Sequence, residues 1–169
     1  TTALTGEILK AKYEETFVVG NIGDPYTSRV LEMTEDSVTV AEVSSFQLET
    51  IMDFRPDVSA ILNITPDHLN RHGTMENYIR IKECITLNQS EDDSVVLNYD
   101  DPVLREFGQD PELKPKVTWF SSREKLADGF CIIGDNIVYC QKGRETILVN
   151  VRDMKLLGRH NYENVMAAA

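Results

Sequence analysis

A chain of 169 residues, 41% hydrophobic and 27% charged, is one domain's worth of sequence and enough for a sizeable core. Its 28 acidic against 17 basic residues give a formal charge of -11, and no clustered run of Lys and Arg offsets it, so nucleic acid and anionic lipid are excluded as partners. A nucleotide is not excluded, because a divalent cation and helix N-termini can supply positive potential locally.

The chain opens on an amphipathic helical pattern, "TALTGEILKAKY", with no strand or cap before it, and therefore reads as truncated. It lacks the basic-then-apolar layout of a signal peptide, and no stretch approaches the ~20 apolar residues of a membrane span. Short β-rich runs then follow at 17-19, 37-43, 58-64, 94-99 and 116-121, separated by helical segments at 27-33, 74-88 and 102-107. Strands alternating with helices predict a mainly parallel sheet covered on both faces. After Gly129 the pattern changes: "FCIIGDNIVYCQKGRETILVNV" breaks at Gly134-Asp135-Asn136 and at Lys142-Gly143, which predicts a small antiparallel β appendage. The closing "GRHNYENVMAAA" begins one more helix. Cys84, Cys131 and Cys140 are odd in number and lack metal or disulfide spacing, which favours a reducing cytoplasm.

Three consecutive strands end in polar groups: "FVV" in Gly20-Asn21, "VTVAEV" in Glu42 and Ser44, and "SAILNI" in Asp67 and His68. In open α/β sheets, ligands sit outside the carboxyl ends of the strands. Glu42 is placed to offer a hard oxygen to Mg²⁺. The alternative for Glu42 is a solvated strand end, and for His68 a structural hydrogen bond. Lys82 raises a sharper question. On a helix starting near Thr74 it falls between Tyr78 and Ile79, inside the apolar stripe, so either its stem snorkels outward or its amine has a chemical use. His160, Asn161 and Asn164 lie at or near the start of the last helix. One asparagine is free to cap that helix and the other to meet a ligand.

As an ordered set, "GNIG" at 20-23, "EVSSFQLE" at 42-49, "NITPDHLNRHGTMENYIRIK" at 63-82 and "GRHNYENV" at 158-165 resemble the Mur ligase family over essentially the whole chain. The run "SSFQLE" points to the branch that takes D-glutamate. The resemblance implies a P-loop NTPase-like α/β fold. It also implies that residues 1-169 are the central ATP-binding domain, with the UDP-binding and C-terminal domains and the phosphate-binding loop lying outside the chain. The implied reaction is ATP-dependent ligation of D-glutamate to UDP-N-acetylmuramoyl-L-alanine through an acyl phosphate, by a cytoplasmic monomer.

By the same resemblance Glu42, His68 and Lys82 are the catalytic metal-binding set for Mg²⁺, with Lys82 carbamylated. Asn21 and Ser44 face the muramoyl substrate, and His160, Asn161 and Asn164 face ATP. A folate-type ligase, a phosphohydrolase built on Asp67, His68 and Glu42, and a non-catalytic nucleotide-binding module are the rival readings.

Overall fold

The computed structural model describes residues 1–156 and 158–169. Helix α1 (Thr2–Leu9) packs on strands β1 (Thr16–Gly20) and β2 (Val38–Glu42), which pair in parallel as a two-stranded sheet. Gly6 makes that packing possible, since a Cβ there would stand 2.3 Å from Val18 Cγ2. At the other end of β1, Gly20 has φ +109° and its backbone is so close to β2 that a Cβ would meet the Glu42 carbonyl at 2.2 Å. Both the dihedral and the approach require glycine.

The remaining strands form a six-stranded sheet in sequence order: β3 (Val58–Ile61), β4 (Ser94–Asn98), β5 (Lys116–Ser121), β6 (Gly129–Ile133), β7 (Asn136–Gln141) and β8 (Arg144–Asn150). Pairing is parallel from β3 to β6 and antiparallel from β6 to β8. The antiparallel part expected after Gly129 is thus present, and it extends the main sheet across the β5–β6 pairing. Alternation along β4 explains the layers. Val95 and Leu97 point to one face, with Ile61, Ile64, Tyr78 and Leu104, while Val96 joins Phe120, Ile137 and Met166 on the other.

Helices α5 (Met75–Glu83) and α6 (Pro102–Phe107) supply Tyr78 and Leu104 to the first cluster, and α7 (Arg159–Ala168) supplies Met166 to the second. Three short α-helices, α2 (Tyr26–Arg29), α3 (Ser45–Leu48) and α4 (Leu69–His72), and two tighter helical turns, Val30–Glu32 and Cys84–Thr86, complete the described elements. None of the helices among the described residues is long and apolar enough to cross a membrane.

Candidate active site

Glu42 ends β2, and its side chain is held from two sides. Asn21 Nδ2 donates to Oε1 at 3.0 Å, and Thr2 Oγ1 lies 3.5 Å from Oε2. The Asn21 amide also donates to the Glu42 carbonyl at 2.8 Å, so Asn21 locks the strand end as well as the carboxylate. Asn21 therefore acts on Glu42 directly.

Ser44 is the N-cap of α3. Its Oγ accepts from the Gln47 amide at 3.4 Å, while Gln47 Oε1 accepts from the Ser44 amide at 2.8 Å, which makes a capping box. The Ser44 hydroxyl is also 2.9 Å from Gln47 Oε1, so its proton is already engaged within the rim. Neighbouring Ser45 is buried and bonds across to His72 Nε2 at 3.0 Å.

His68 precedes α4 with φ 52° and ψ 25°, a left-handed conformation that few non-glycine residues adopt. Asp67 supports it. Its Oδ1 accepts from the His68 amide at 2.8 Å, and its Oδ2 lies 3.4 Å from Nε2. The exposed imidazole also meets the Phe46 ring, with centroids 4.9 Å apart. Lys142, in the β7–β8 turn, has a similar φ of 50°, so the conformation by itself marks a turn.

Lys82 is half-buried, as its place in the apolar stripe predicts, with Nζ 5.8 Å from the centre of the Tyr78 ring. Burial lowers the pKa of its ammonium below the usual lysine range. The charges of Asp67 and, after it, Glu42 oppose that shift, which places both carboxylates within electrostatic reach of the amine. The three sequence candidates thus share one rim. Among the described residues no three His, Cys, Asp or Glu side chains form a ready cation cage. Mg²⁺ asks for less, since it takes one or two carboxylates and fills its shell with phosphate oxygens and water. Glu42 with the Thr2 hydroxyl beside it fits that requirement, and an amine with a lowered pKa fits carbamylation.

At α7 the N-cap is Gly158, which has no side chain with which to cap the helix. Asn164 Oδ1 accepts from the Thr1 hydroxyl, which ties α7 to the start of α1; His160 is exposed. The α7 set thus sits beside the α1 end that also carries Thr2, next to Glu42.

Parallel pairing of β1 with β2 and of β3 through β6, with helices between the strands and a carboxylate, a histidine and a lysine at or near strand ends, defines an open α/β domain. The family model for the Mur ligase middle domain matches residues 1–169, and the chain belongs to that family. It is 56% identical over 168 residues to the UDP-N-acetylmuramoylalanine--D-glutamate ligase of Lachnospira eligens, covering 99% of this chain and 37% of the relative. With the ligase of the same name from Lachnoclostridium phytofermentans the identity is 54%, at the same coverage. The chain therefore spans a little over a third of the length of these relatives.

Among solved structures, a UDP-N-acetylmuramoyl-L-alanyl-D-glutamate--2,6-diaminopimelate ligase superposes with a TM-score of 0.71 at 20% identity, covering 99% of this chain and 39% of that one. A MurF ligase from Thermotoga maritima in complex with ADP superposes at 0.60 with 19% identity, covering 99% and 41%. These two likenesses concern the fold.

Proposed function

We propose that this chain is the ATP-binding middle domain of an ATP-dependent carbon–nitrogen ligase that joins D-glutamate to UDP-N-acetylmuramoyl-L-alanine in peptidoglycan precursor synthesis. The observation that carries the reading is the gathering of Glu42, Asp67 and Lys82 on one rim in a chain 56% identical to a relative of that name. The acceptor carboxylate takes the γ-phosphoryl group of ATP and ADP leaves. The amine of D-glutamate then attacks the acyl phosphate and phosphate leaves.

In this reading Glu42, fixed by Asn21 and flanked by Thr2, would hold one Mg²⁺, and His68 with a carbamate on Lys82 would hold a second. Bound there, the metals neutralise the repulsion between the two reacting anions. Asn21 and Ser44 line the acceptor side, Asn21 through its grip on Glu42 and Ser44 by shaping the start of α3. His160, Asn161 and Asn164 line the nucleotide side from the start of α7. We assign the work to a cytoplasmic monomer in which UDP-binding and C-terminal domains flank this one.

The test is D-glutamate-dependent phosphate release by the full-length protein, with ATP, Mg²⁺ and UDP-N-acetylmuramoyl-L-alanine present. Release that ignores D-glutamate but follows another amino acid would move the protein to a different ligase. Release without any acceptor would favour a phosphohydrolase.

A further inference from the structure

His72 lies outside the set assigned above, yet it joins the two loops that carry that set. The side chain is fully enclosed, and its Nε2 is 3.0 Å from Ser45 Oγ on α3. Its ring stacks on Phe46, with centroids 5.5 Å apart at 20°, and meets Tyr78 at 5.2 Å. Phe46 in turn touches His68, and the Tyr78 ring lies below Lys82 Nζ. The His72 amide donates to the His68 carbonyl at 3.0 Å, and Asn77 Nδ2 donates to the His72 carbonyl at 2.8 Å, so α4 and α5 are fastened at the same residue.

Glu49 flanks the ring from behind. Its Oε1 is 3.1 Å from Nδ1, and its carboxylate is held by Arg71, with Nη2 2.7 Å from Oε2. The two ring nitrogens thus face a carboxylate on one side and, on the other, a hydroxyl that can donate or accept. The order serine, histidine, carboxylate is that of a nucleophilic triad. Ser45, however, is 3% exposed, so no substrate carbonyl reaches its oxygen. Among the described residues, His72 Nδ1 is also the one buried side-chain polar atom without an aligned hydrogen-bond partner. A ring needed only for packing would not require that nitrogen, since phenylalanine fills similar space without stranding a polar atom.

We infer that His72 is a positioning residue, a latch that holds the Ser44–Ser45 rim in register with the His68 loop. Acceptor binding and Mg²⁺ binding then depend on one another through His72. The inference rests on the ligase reading above. Outer partners of this kind commonly change metal affinity or activity by about ten- to a hundredfold.

The test compares the full-length protein with its His72→Phe, His72→Gln and Ser45→Ala variants and with the double variant His72→Phe/Ser45→Ala. In His72→Phe the KM for the UDP-linked acceptor and the half-saturating Mg²⁺ concentration rise together about tenfold, while the KM for ATP stays within about twofold. His72→Gln, whose amide can still donate to or accept from Ser45, recovers part of the loss. Ser45→Ala shows a smaller version of it, and the double variant is no worse than His72→Phe.

Hydrogen–deuterium exchange provides a readout that needs no turnover. In His72→Phe the amides of 45-49 and 68-73 exchange faster together, and those of 94-98 do not change. Kinetic constants all within about twofold of the parent would overturn the latch. So would a loss spread evenly over acceptor, metal and ATP, or exchange that changes in neither loop. A parent that releases no phosphate with D-glutamate defeats the ligase reading instead, and exchange alone then decides the latch.

Discussion

Lys82 shows how one side chain acquires a use from its surroundings. Burial that lowers the pKa of the Lys82 ammonium favours its neutral form, and in the function proposed above that amine combines with CO₂ to give an oxygen donor of negative charge. If the residue acts as a cation, arginine should serve. If it acts as a carbamate, Lys82→Arg in the full-length protein should lose on the order of a hundredfold or more in turnover, because guanidinium repels the metal. Lys82→Ala should fail equally and regain part of its rate with added formate or acetate, measured as D-glutamate-dependent phosphate release. An arginine variant near parental turnover would return Lys82 to an ordinary helix lysine. Glu42→Gln keeps an acceptor for Asn21 and the shape of the strand end, so melting should be unchanged while turnover at limiting Mg²⁺ falls at least about tenfold.

Elements here are held by their ends. Asp101 caps α6, accepting from Val103 at 2.9 Å and Leu104 at 3.3 Å, and its second oxygen takes the Ile64 amide at 2.8 Å. Asp101→Ala should cost about 2 kcal/mol, toward the upper end for a lost cap, measured by urea unfolding. Asp93 pins the turn before β4. The Arg55 guanidinium and then the Ser90 amide hold its carboxyl at about 2, well below the usual carboxylate range. Its folded pKa is depressed, so its contribution is complete above about pH 4 and is lost as pH falls toward about 2. The gap in unfolding midpoint between the parent and Asp93→Asn should therefore be widest near neutral pH and close in acid.

The sequence discloses these elements unevenly. Five β-rich runs are legible because apolar β-branched residues leave a local trace, although the third ends at Ile61, three residues early. Ile64, the last residue of that run, gives its amide to Asp101 rather than to a neighbouring strand. The helix expected over 74-88 becomes regular helix to Glu83 and a tighter turn over Cys84–Thr86. Helices α3 and α4 are four residues each, too short to show a period. Only the Ser44-x-x-Gln47 spacing announces the first of them. Glu42, His68 and Lys82 stand out by type and place, whereas His72 gains its meaning from Ser45 and Glu49, both distant in sequence. Its sole local hint is its spacing of four from His68.

At the scale of the molecule, strand pairing among the described residues divides between a β1–β2 sheet and the β3–β8 sheet. No local pattern in the sequence reports that division, since pairing is a long-range choice. Glu42 and Asn21 stand on the first sheet, and the loop with Asp67 and His68 follows the edge strand of the second. The rim therefore spans two bodies of hydrogen-bonded backbone, and α3, α4 and α5 connect them. Residues 1–169 alone should not release phosphate from ATP in a D-glutamate-dependent way, because they span little more than a third of the relatives they match. Release by the purified fragment would overturn the proposal that UDP-binding and C-terminal domains work beside this one.

The hydrogen bond from Thr1 to Asn164, with α1 lying against α7, has a bearing on how this unit can be rewired. Positions 1 and 164 are side by side, and Ala169 follows Asn164 by about a turn and a half of helix, so the gap between the ends is short. Loop closure between such points costs little entropy. A circular permutant that links Ala169 to Thr1 through a short glycine-serine bridge and opens at the exposed Lys142-Gly143 turn should fold with nearly parental stability. The Thr1–Asn164 contact lies beside Thr2 and Glu42, so torque applied by a flanking segment would be delivered where the nucleotide phosphates are expected.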